Sequence, residues 1–455
     1  MANIPISQKN DFGNGSVIGH IVKLAIPMTF AQFINVLYNI IDRIYIGHLA
    51  ESSTQALTGV GLCLPIITII IAFANLFGMG GAPLFSMARG AGNPERSKKI
   101  MANAFSMLLL SGAFLVAVCY TFMKPILYLF GASDATYPYA SAYLIIYLLG
   151  TWFVMISLGM NFFINAQGFG VIGMLTVSIG AVLNLILDPI LIFYLNLGVR
   201  GAAIATILSQ FVSTVWVLRF LTSDKAIIKL DFSCLKPDFR LIREIVGLGL
   251  SGFVMSVTNG IVQVVCNSTL QTYGGDLYIG IMTVANSVRE VVSMPAFGLT
   301  NASQPVMSFN YGAKKYDRIR TAIKGVTIYS ISIMLVMWAL IFFFPGFFIG
   351  LFNNDAALLS EGSRALHLYF FGIFMMSFQI SGQSTYMALG KSKFAIFFSL
   401  LRKVIIVVPL TILLPRLGLG TDGVFLAEPI SNAIGGLACY CTMIWKVWPT
   451  LKNEM

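Results

Sequence analysis

Long apolar runs follow one another along this chain, each closed by a short polar stretch. They lie near residues 21–46, 56–84, 100–123, 138–164, 172–196, 200–222, 241–272, 278–305, 321–345, 363–388, 394–415 and 422–447. A helix needs about 20 apolar residues to span the ~30 Å hydrocarbon core of a bilayer, so the pattern predicts twelve transmembrane helices. The runs are too long for barrel strands and lack the two-residue alternation of such strands. The expected fold class is an all-α integral membrane protein.

Composition supports the pattern. The 455 residues are 57% hydrophobic and only 10% charged, with a mean hydropathy of +0.83. A water-soluble domain carries about 25% charged residues, so lipid is the expected solvent. The net charge of +11 invites a nucleic-acid reading until the charges are placed. Arg89, Arg96, Lys98 and Lys99 fall in loop 2–3, and Arg219, Lys225, Lys229, Lys236, Arg240 and Arg243 around loop 6–7. Lys314, Lys315, Arg318, Arg320 and Lys324 fall around loop 8–9; Lys391, Lys393, Arg402 and Lys403 are assigned to loop 10–11. With Lys9, Lys23, Lys446 and Lys452 near the termini, 23 of 29 basic residues share one side. The positive-inside rule sets that side, and both termini, in the cytoplasm and demands an even number of spans. Anionic lipid headgroups rather than nucleic acid are the expected neighbours of the basic rim. The first twenty residues are polar, without the basic and apolar regions of a removable signal peptide. Six scattered cysteines read as small apolar filler, and three histidines at segment ends form no cluster for a metal or nucleophile.

The chain repeats itself. "FGMGGAPLFSMARGAGN" (77–93) resembles "FGLTNASQPVMSFNYGAKK" (297–315); Pro83 pairs with Pro305, Ser86 with Ser308, Gly90 with Gly312 and Ala91 with Ala313, all at an offset of 222. "NAQG" (165–168) meets "MALG" (387–390), and "LGVRGAA" (197–203) meets "LGTDGVF" (419–425), at the same offset. Three separated blocks sharing one offset indicate an internal duplication. Two copies of six helices enter the membrane in one orientation, which predicts two pseudo-symmetric lobes with a central cleft. The expected division is an N-lobe at 1–222, a cytoplasmic linker at 223–240 and a C-lobe at 241–455. That is the build of an alternating-access transporter, with no cofactor implied.

Acids deep in apolar spans are few: Asp42, Asp188, Glu290 and Glu428. Each costs about 2.5–3.5 kcal/mol on insertion scales if it faces lipid, so they are expected inside the bundle. Asn35, Tyr38 and Asp42 recur at i, i+3, i+7 on helix 1; Asn184 and Asp188 are i, i+4 on helix 5. Asn161 on helix 4 and Thr206 on helix 6 supply oxygens at similar depth. Two carboxylates in one dry pocket repel, and desolvation disfavours their charged forms. Such a pair is suited to take up a proton, or a sodium ion at Asp42 and Asp188. The offset sends Asp42 to Val264, Asp188 to Leu410, Asn184 to Ile406, Asn161 to Gln383 and Thr206 to Glu428. The acid pair is therefore private to the first half, which favours function over scaffold. Asn35, Tyr38, Asn259, Gln263, Gln383 and Glu428 are expected to line the substrate cleft. Pro27 and Pro189 should bend their helices as hinges.

"NIIDRIYIGHL", "NLILDPILIF", "GVRGAAIAT" and the repeated Pro-x-x-Ser…Gly-Ala helix ends resemble the multidrug and toxic compound extrusion (MATE) family, in its prokaryotic DinF-like branch. The resemblance covers about residues 15–448. It implies two six-helix lobes and export of organic, often cationic or amphiphilic, compounds in exchange for protons or sodium ions. It also places the cation site on Asp42, Asn161, Asn184, Asp188 and Thr206. Another branch uses an acid within helix 7, which is absent here. A multi-pass monomer of the inner (cytoplasmic) membrane is expected. The alternative is a flippase for lipid-linked saccharides; with only Arg43 and Arg289 read as intramembrane bases, a pyrophosphate headgroup lacks partners. A major-facilitator transporter would carry Gly-x-x-x-Asp-Arg in loop 2–3, and an intramembrane prenyltransferase would carry clustered aspartates for Mg²⁺. Neither is found, and no enzyme activity is expected.

Overall fold

Lipid offers the backbone no hydrogen-bonding partner, so each crossing segment must satisfy its own peptide groups, and only helices do so alone. Every regular element among the described residues is helical. The computed structural model describes residues 10–47, 53–350 and 356–451; the side chains of 39–40, 42–44, 46–47, 53–57 and 356–358 lie outside that description.

The first half comprises α1 (Val17–Gly47), α2 (Ser53–Gly90), α3 (Pro94–Thr121), α4 (Met123–Leu129), α5 (Tyr137–Leu149), α6 (Thr151–Ala166), α7 (Gly170–Pro189) and α8 (Gly198–Thr222). The second comprises α9 (Phe239–Gly312), α10 (Tyr316–Phe343), α11 (Pro345–Gly350), α12 (Ala356–Tyr369), α13 (Met376–Ala388), α14 (Ser392–Leu400), α15 (Val408–Leu414) and α16 (Gly420–Thr442). Helix α9 runs for 74 residues and is broken at Gly275, where φ is 66°; at about 20 residues per crossing it holds two spans. The run Ser392–Leu451 likewise holds two, broken at Gly418 and Gly420, both at positive φ. Helices α5 and α6 form one span bent by 56° at Gly150. Counted so, the described residues contain twelve crossings.

The backbone repeats as the sequence does. Helices α3 and α10 begin and end 222 residues apart, as do the starts of α7 and α14 and of α8 and α16. Positive φ recurs at that offset at Gly92 and Lys314, Gly168 and Gly390, Asn196 and Gly418, and Gly198 and Gly420. Gly150, where α5 meets α6, corresponds to Gly372, where α12 gives way to the turn before α13.

Contacts divide the chain into two units, one of Met1–Asp11 with Phe30–Gly249, the other of Phe12–Thr29 with Leu250–Met455. The start of α9 therefore packs with the first unit and the start of α1 with the second. Close helix approach explains both. A Cβ on Gly249 would lie 1.8 Å from the carbonyl oxygen of Leu76, and one on Gly298 would lie 2.0 Å from Oγ1 of Thr29. Small residues at such crossings let backbones touch where no hydrophobic effect drives helices together. The connecting stretch 223–238 is tied to the first unit rather than free. Ile228 N–H donates to Oε1 of Gln167 (2.9 Å), Ser106 Oγ to the Leu235 carbonyl (2.8 Å), and Asp238 N–H to Oδ1 of Asn103 (2.7 Å).

Large apolar side chains are widely exposed, among them Leu129 at 81%, Phe30 at 57% and Ile186 at 53%. Water would not tolerate apolar surface on that scale, and lipid does. The interior is in part polar: Asn184, Asp188, Thr206, Lys403 and Glu428 are all buried. Part of the basic rim serves the protein itself. Arg318 donates to the carbonyls of Phe12, Asn14 and Gly15, Lys315 to that of Gly13, and Arg89 to those of Asn10 and Ala166.

Candidate functional site

The site in the first unit is built on the last turns of α7. Four residues separate Asn184 from Asp188, so both project from one face. Pro189 lacks a backbone donor, α7 ends there, and the chain continues as one π turn, Ile190–Tyr194. Asp188 and Asn184 are 1% and 2% exposed, and Thr206 on the neighbouring α8 is 6% exposed. Asn184 bridges the other two. With its amide nitrogen toward the carboxylate, Nδ2 donates to Asp188 Oδ2 at 2.7 Å and Oδ1 accepts from the Thr206 N–H at 3.2 Å. That orientation satisfies both ends of the amide, the criterion by which Asn side chains are assigned. Thr206 Oγ1 donates to the Ala202 carbonyl (3.0 Å), leaving its lone pairs for a further partner.

A cavity of about 70 Å³ adjoins this set, lined by Asn35 and Tyr38 of α1, Asn161 of α6, Asn184 of α7, and Thr206 and Ser209 of α8. One water occupies about 30 Å³ of liquid and a drug-sized ligand needs about 300 Å³ or more. The space therefore suits a cation with a water or two, not an organic substrate. The buried oxygens Oδ1 of Asn161 and Oγ of Ser209 lack a hydrogen-bond partner, an arrangement that leaves lone pairs for an incoming cation. Carboxylate, amide and hydroxyl oxygens form a hard donor set, of the kind that suits alkali and alkaline-earth cations rather than soft metals. The structure thus brings Asn35, Tyr38, Asn161, Asn184 and Thr206 to one cavity, with Asp188 joined through Asn184. The Asp42 side chain lies outside the described residues.

Asn161 also has a structural task. Its Nδ2 donates to the Gly173 carbonyl at 3.2 Å, and at the repeated positions Gln383 Nε2 donates to the Ala395 carbonyl at 3.2 Å. The same tie between consecutive helices is kept in both halves, and Gln383 is 7% exposed. Asn259 and Gln263 are exposed on α9. Pro27 lies inside α1, two positions before the Thr29–Phe30 boundary between the units.

The second unit holds a charge cluster that the sequence reading misplaced. Arg402 and Lys403 are not part of a cytoplasmic loop. They lie in a π-helical stretch, Leu401–Val407, with side chains 13% and 5% exposed. Both meet Glu428 of α16: Lys403 Nζ lies 2.8 Å and Arg402 Nη1 3.2 Å from Oε1. Arg289 of α9 reaches the same oxygen at 3.2 Å. Arg402 also donates to Asn432 Oδ1 (2.5 Å), and the Arg289 guanidinium lies 5.9 Å from the Tyr369 ring. Arg402 and Lys403 sit well inside the apolar run 394–415, and that position was the available signal. Glu428 is thus the hub of an ion-pair network, and the tally of intramembrane bases rises by two.

A polytopic helical protein of duplicated build, with a buried acid–amide site in one unit and a buried charge cluster in the other, has the make-up of a membrane transporter. The chain belongs to the MatE family, whose model matches residues 27–190 and 252–413, one match on each half of the repeat. It is similar to the multidrug export protein MepA of Staphylococcus saprophyticus, at 26% identity over 94% of this chain and 93% of the relative. MepA of Staphylococcus aureus (strain MRSA252) is 26% identical over the same shares of the two chains. A solved structure described as an outward-facing conformation of a multidrug resistance MATE family transporter superposes with a TM-score of 0.92 at 22% identity, covering all of both chains. These relatives are transporters, not enzymes, and the likeness shows the twelve-helix, two-lobed fold of a multi-pass membrane protein.

Proposed function

We propose that this protein is a cation-coupled antiporter that exports small organic compounds, often cationic or amphiphilic, by alternating access. The observation that carries the reading is the buried Asp188–Asn184–Thr206 set beside a cavity sized for an ion. Asn161, and Asp42 on the helix that brings Asn35 and Tyr38 to that cavity, complete the proposed site. The coupling ion is H⁺ or Na⁺; a carboxylate flanked by neutral amides and hydroxyls serves either. Export of several drugs, as the name of the MepA relatives states for them, is the matching function here. Both termini are placed in the cytoplasm and the protein in the cytoplasmic membrane, on the bias of its basic loops.

Reconstituted protein tests this directly. Proteoliposomes loaded with a cationic dye should release it when a pH gradient or a sodium gradient is imposed, and the effective gradient names the ion. Dye movement indifferent to both gradients refutes coupling. The flippase alternative gains one observation, the buried bases around Glu428. A flippase would move a labelled lipid between leaflets in the same vesicles without either gradient.

A further inference from the structure

We propose that the cluster around Glu428 is an anion-recognition site that takes the carboxylate, sulfonate or phosphate group of a substrate. The transported compounds then include anionic and zwitterionic amphiphiles. This rests on the reading above that the protein moves small organic molecules, and it specifies their chemistry.

The charges do not balance. Arg289, Arg402 and Lys403 all end on Oε1 of Glu428, at 3.2, 3.2 and 2.8 Å. Among the described residues no other carboxylate forms an ion pair with any of the three, so two positive charges are in excess. Two guanidinium groups and an ammonium bring roughly thirteen N–H donors, against about four lone-pair sites on one carboxylate. Excess charge within lipid-bounded protein is costly and marks a functional site by default. A second anion would complete the set.

Glu428 and Lys403 have side chains 5% exposed, whereas that of Arg289 is 29% exposed. Arg289 is the most exposed of the three bases, and its guanidinium lies beside the Tyr369 ring. A planar fork that matches a carboxylate or phosphate in bidentate fashion, set against an aromatic wall, suits an acid group on an apolar body.

The repeat shows that this is no inherited scaffold. Positions 289, 402, 403 and 428 correspond in the first half to Ile67, Gly180, Ala181 and Thr206. Three of those, Gly180, Ala181 and Thr206, line the small cavity beside Asn184. The same place in the duplicated fold is an oxygen-lined cavity in one unit and a cationic cluster in the other.

The test compares two probes that share a fluorophore, dansylglycine (anionic) and dansylglycinamide (neutral), titrated against the purified full-length protein in detergent. Wild-type protein should bind dansylglycine at least tenfold more tightly, the size of one charge-assisted hydrogen bond. Arg289→Gln should remove most of that preference while binding of the amide stays the same, and Arg289→Lys should restore part of it. Lys403→Met, at the opposite end of the cluster, should also weaken dansylglycine alone. Equal affinity for the two probes, binding of neither, or a preference that survives Arg289→Gln and Lys403→Met overturns the proposal. Export of a cationic dye from vesicles is scored in parallel. Export without anion preference removes this site only; anion preference without export removes the transport reading only.

Discussion

Replacing Glu428 by Gln removes one negative charge and leaves Arg289, Arg402 and Lys403 facing one another. Each contact, near 3 Å, is a gross attraction of about 5 kcal/mol at an effective dielectric constant near 20. Desolvation of the partners offsets most of it, so the sum is not the cost of the substitution. Removing one partner of a buried network typically costs ~3–5 kcal/mol, because the remaining charges stay buried. The amide oxygen of Gln still accepts one hydrogen bond, which returns about 1 kcal/mol. A net loss near 3 kcal/mol is expected, a large share of the ~5–15 kcal/mol that typically holds a domain folded. The assay is thermal or denaturant unfolding of the detergent-purified protein, followed by tryptophan fluorescence. The sign of a second variant sharpens it: Arg289→Gln removes one cation from an overcharged set and should change stability by less than 1 kcal/mol. In the double variant Glu428→Gln with Lys403→Met, at least 1 kcal/mol of the loss should return, read as a coupling energy. Wild-type stability of Glu428→Gln, or a larger loss in Arg289→Gln than in Glu428→Gln, would refute the charge accounting.

The wild-type protein should confer drug resistance on a hypersensitive host, and Asp188→Asn and Asp42→Asn should each abolish it with membrane expression unchanged; unaltered resistance in both defeats the proposed coupling site. Asn184→Leu should abolish gradient-driven dye release while leaving the unfolding midpoint within a few degrees of wild type, since it removes the bridge between Asp188 and Thr206; retained coupling means the bridge is idle. Gly249→Ala places a methyl 1.8 Å from the Leu76 carbonyl oxygen, and overpacking of that kind costs about 1–3 kcal/mol. Its unfolding midpoint should fall, and an unchanged midpoint would show that the helices separate without cost.

Much of the fold was legible because lipid makes the code simple: a span must be apolar, helical and about 20 residues long. The duplication was legible too, since residues that end helices recur at one offset, and Gly92 and Lys314 or Gly198 and Gly420 share the same backbone turn. The i, i+4 placement of Asn184 and Asp188 needed only the helical period. What escaped reading was the inward turn of Arg402 and Lys403. Counting bases along a sequence assigns adjacent Arg and Lys to water, because isolated charges belong there. Only a carboxylate on α16, 25 positions beyond Lys403, makes their burial tolerable. The exchange of helix ends between the two units was equally hidden. It turns on which backbone meets Gly249 and Gly298, and a glycine does not name its partner.

The sequence by itself determined that this protein lives in a bilayer, that it is two copies of one six-helix plan, and that Asp42 and Asp188 have no acidic counterparts at the repeat offset. Those properties follow from local rules: solvent transfer free energy, helical periodicity and the self-similarity of the chain. Tertiary structure decided which polar atoms share a cavity and which charges neutralise one another, and therefore that Asn184 links Asp188 to Thr206 while Glu428 holds three cations. Such pairings depend on distances between residues remote in the chain, which packing sets and no local pattern encodes.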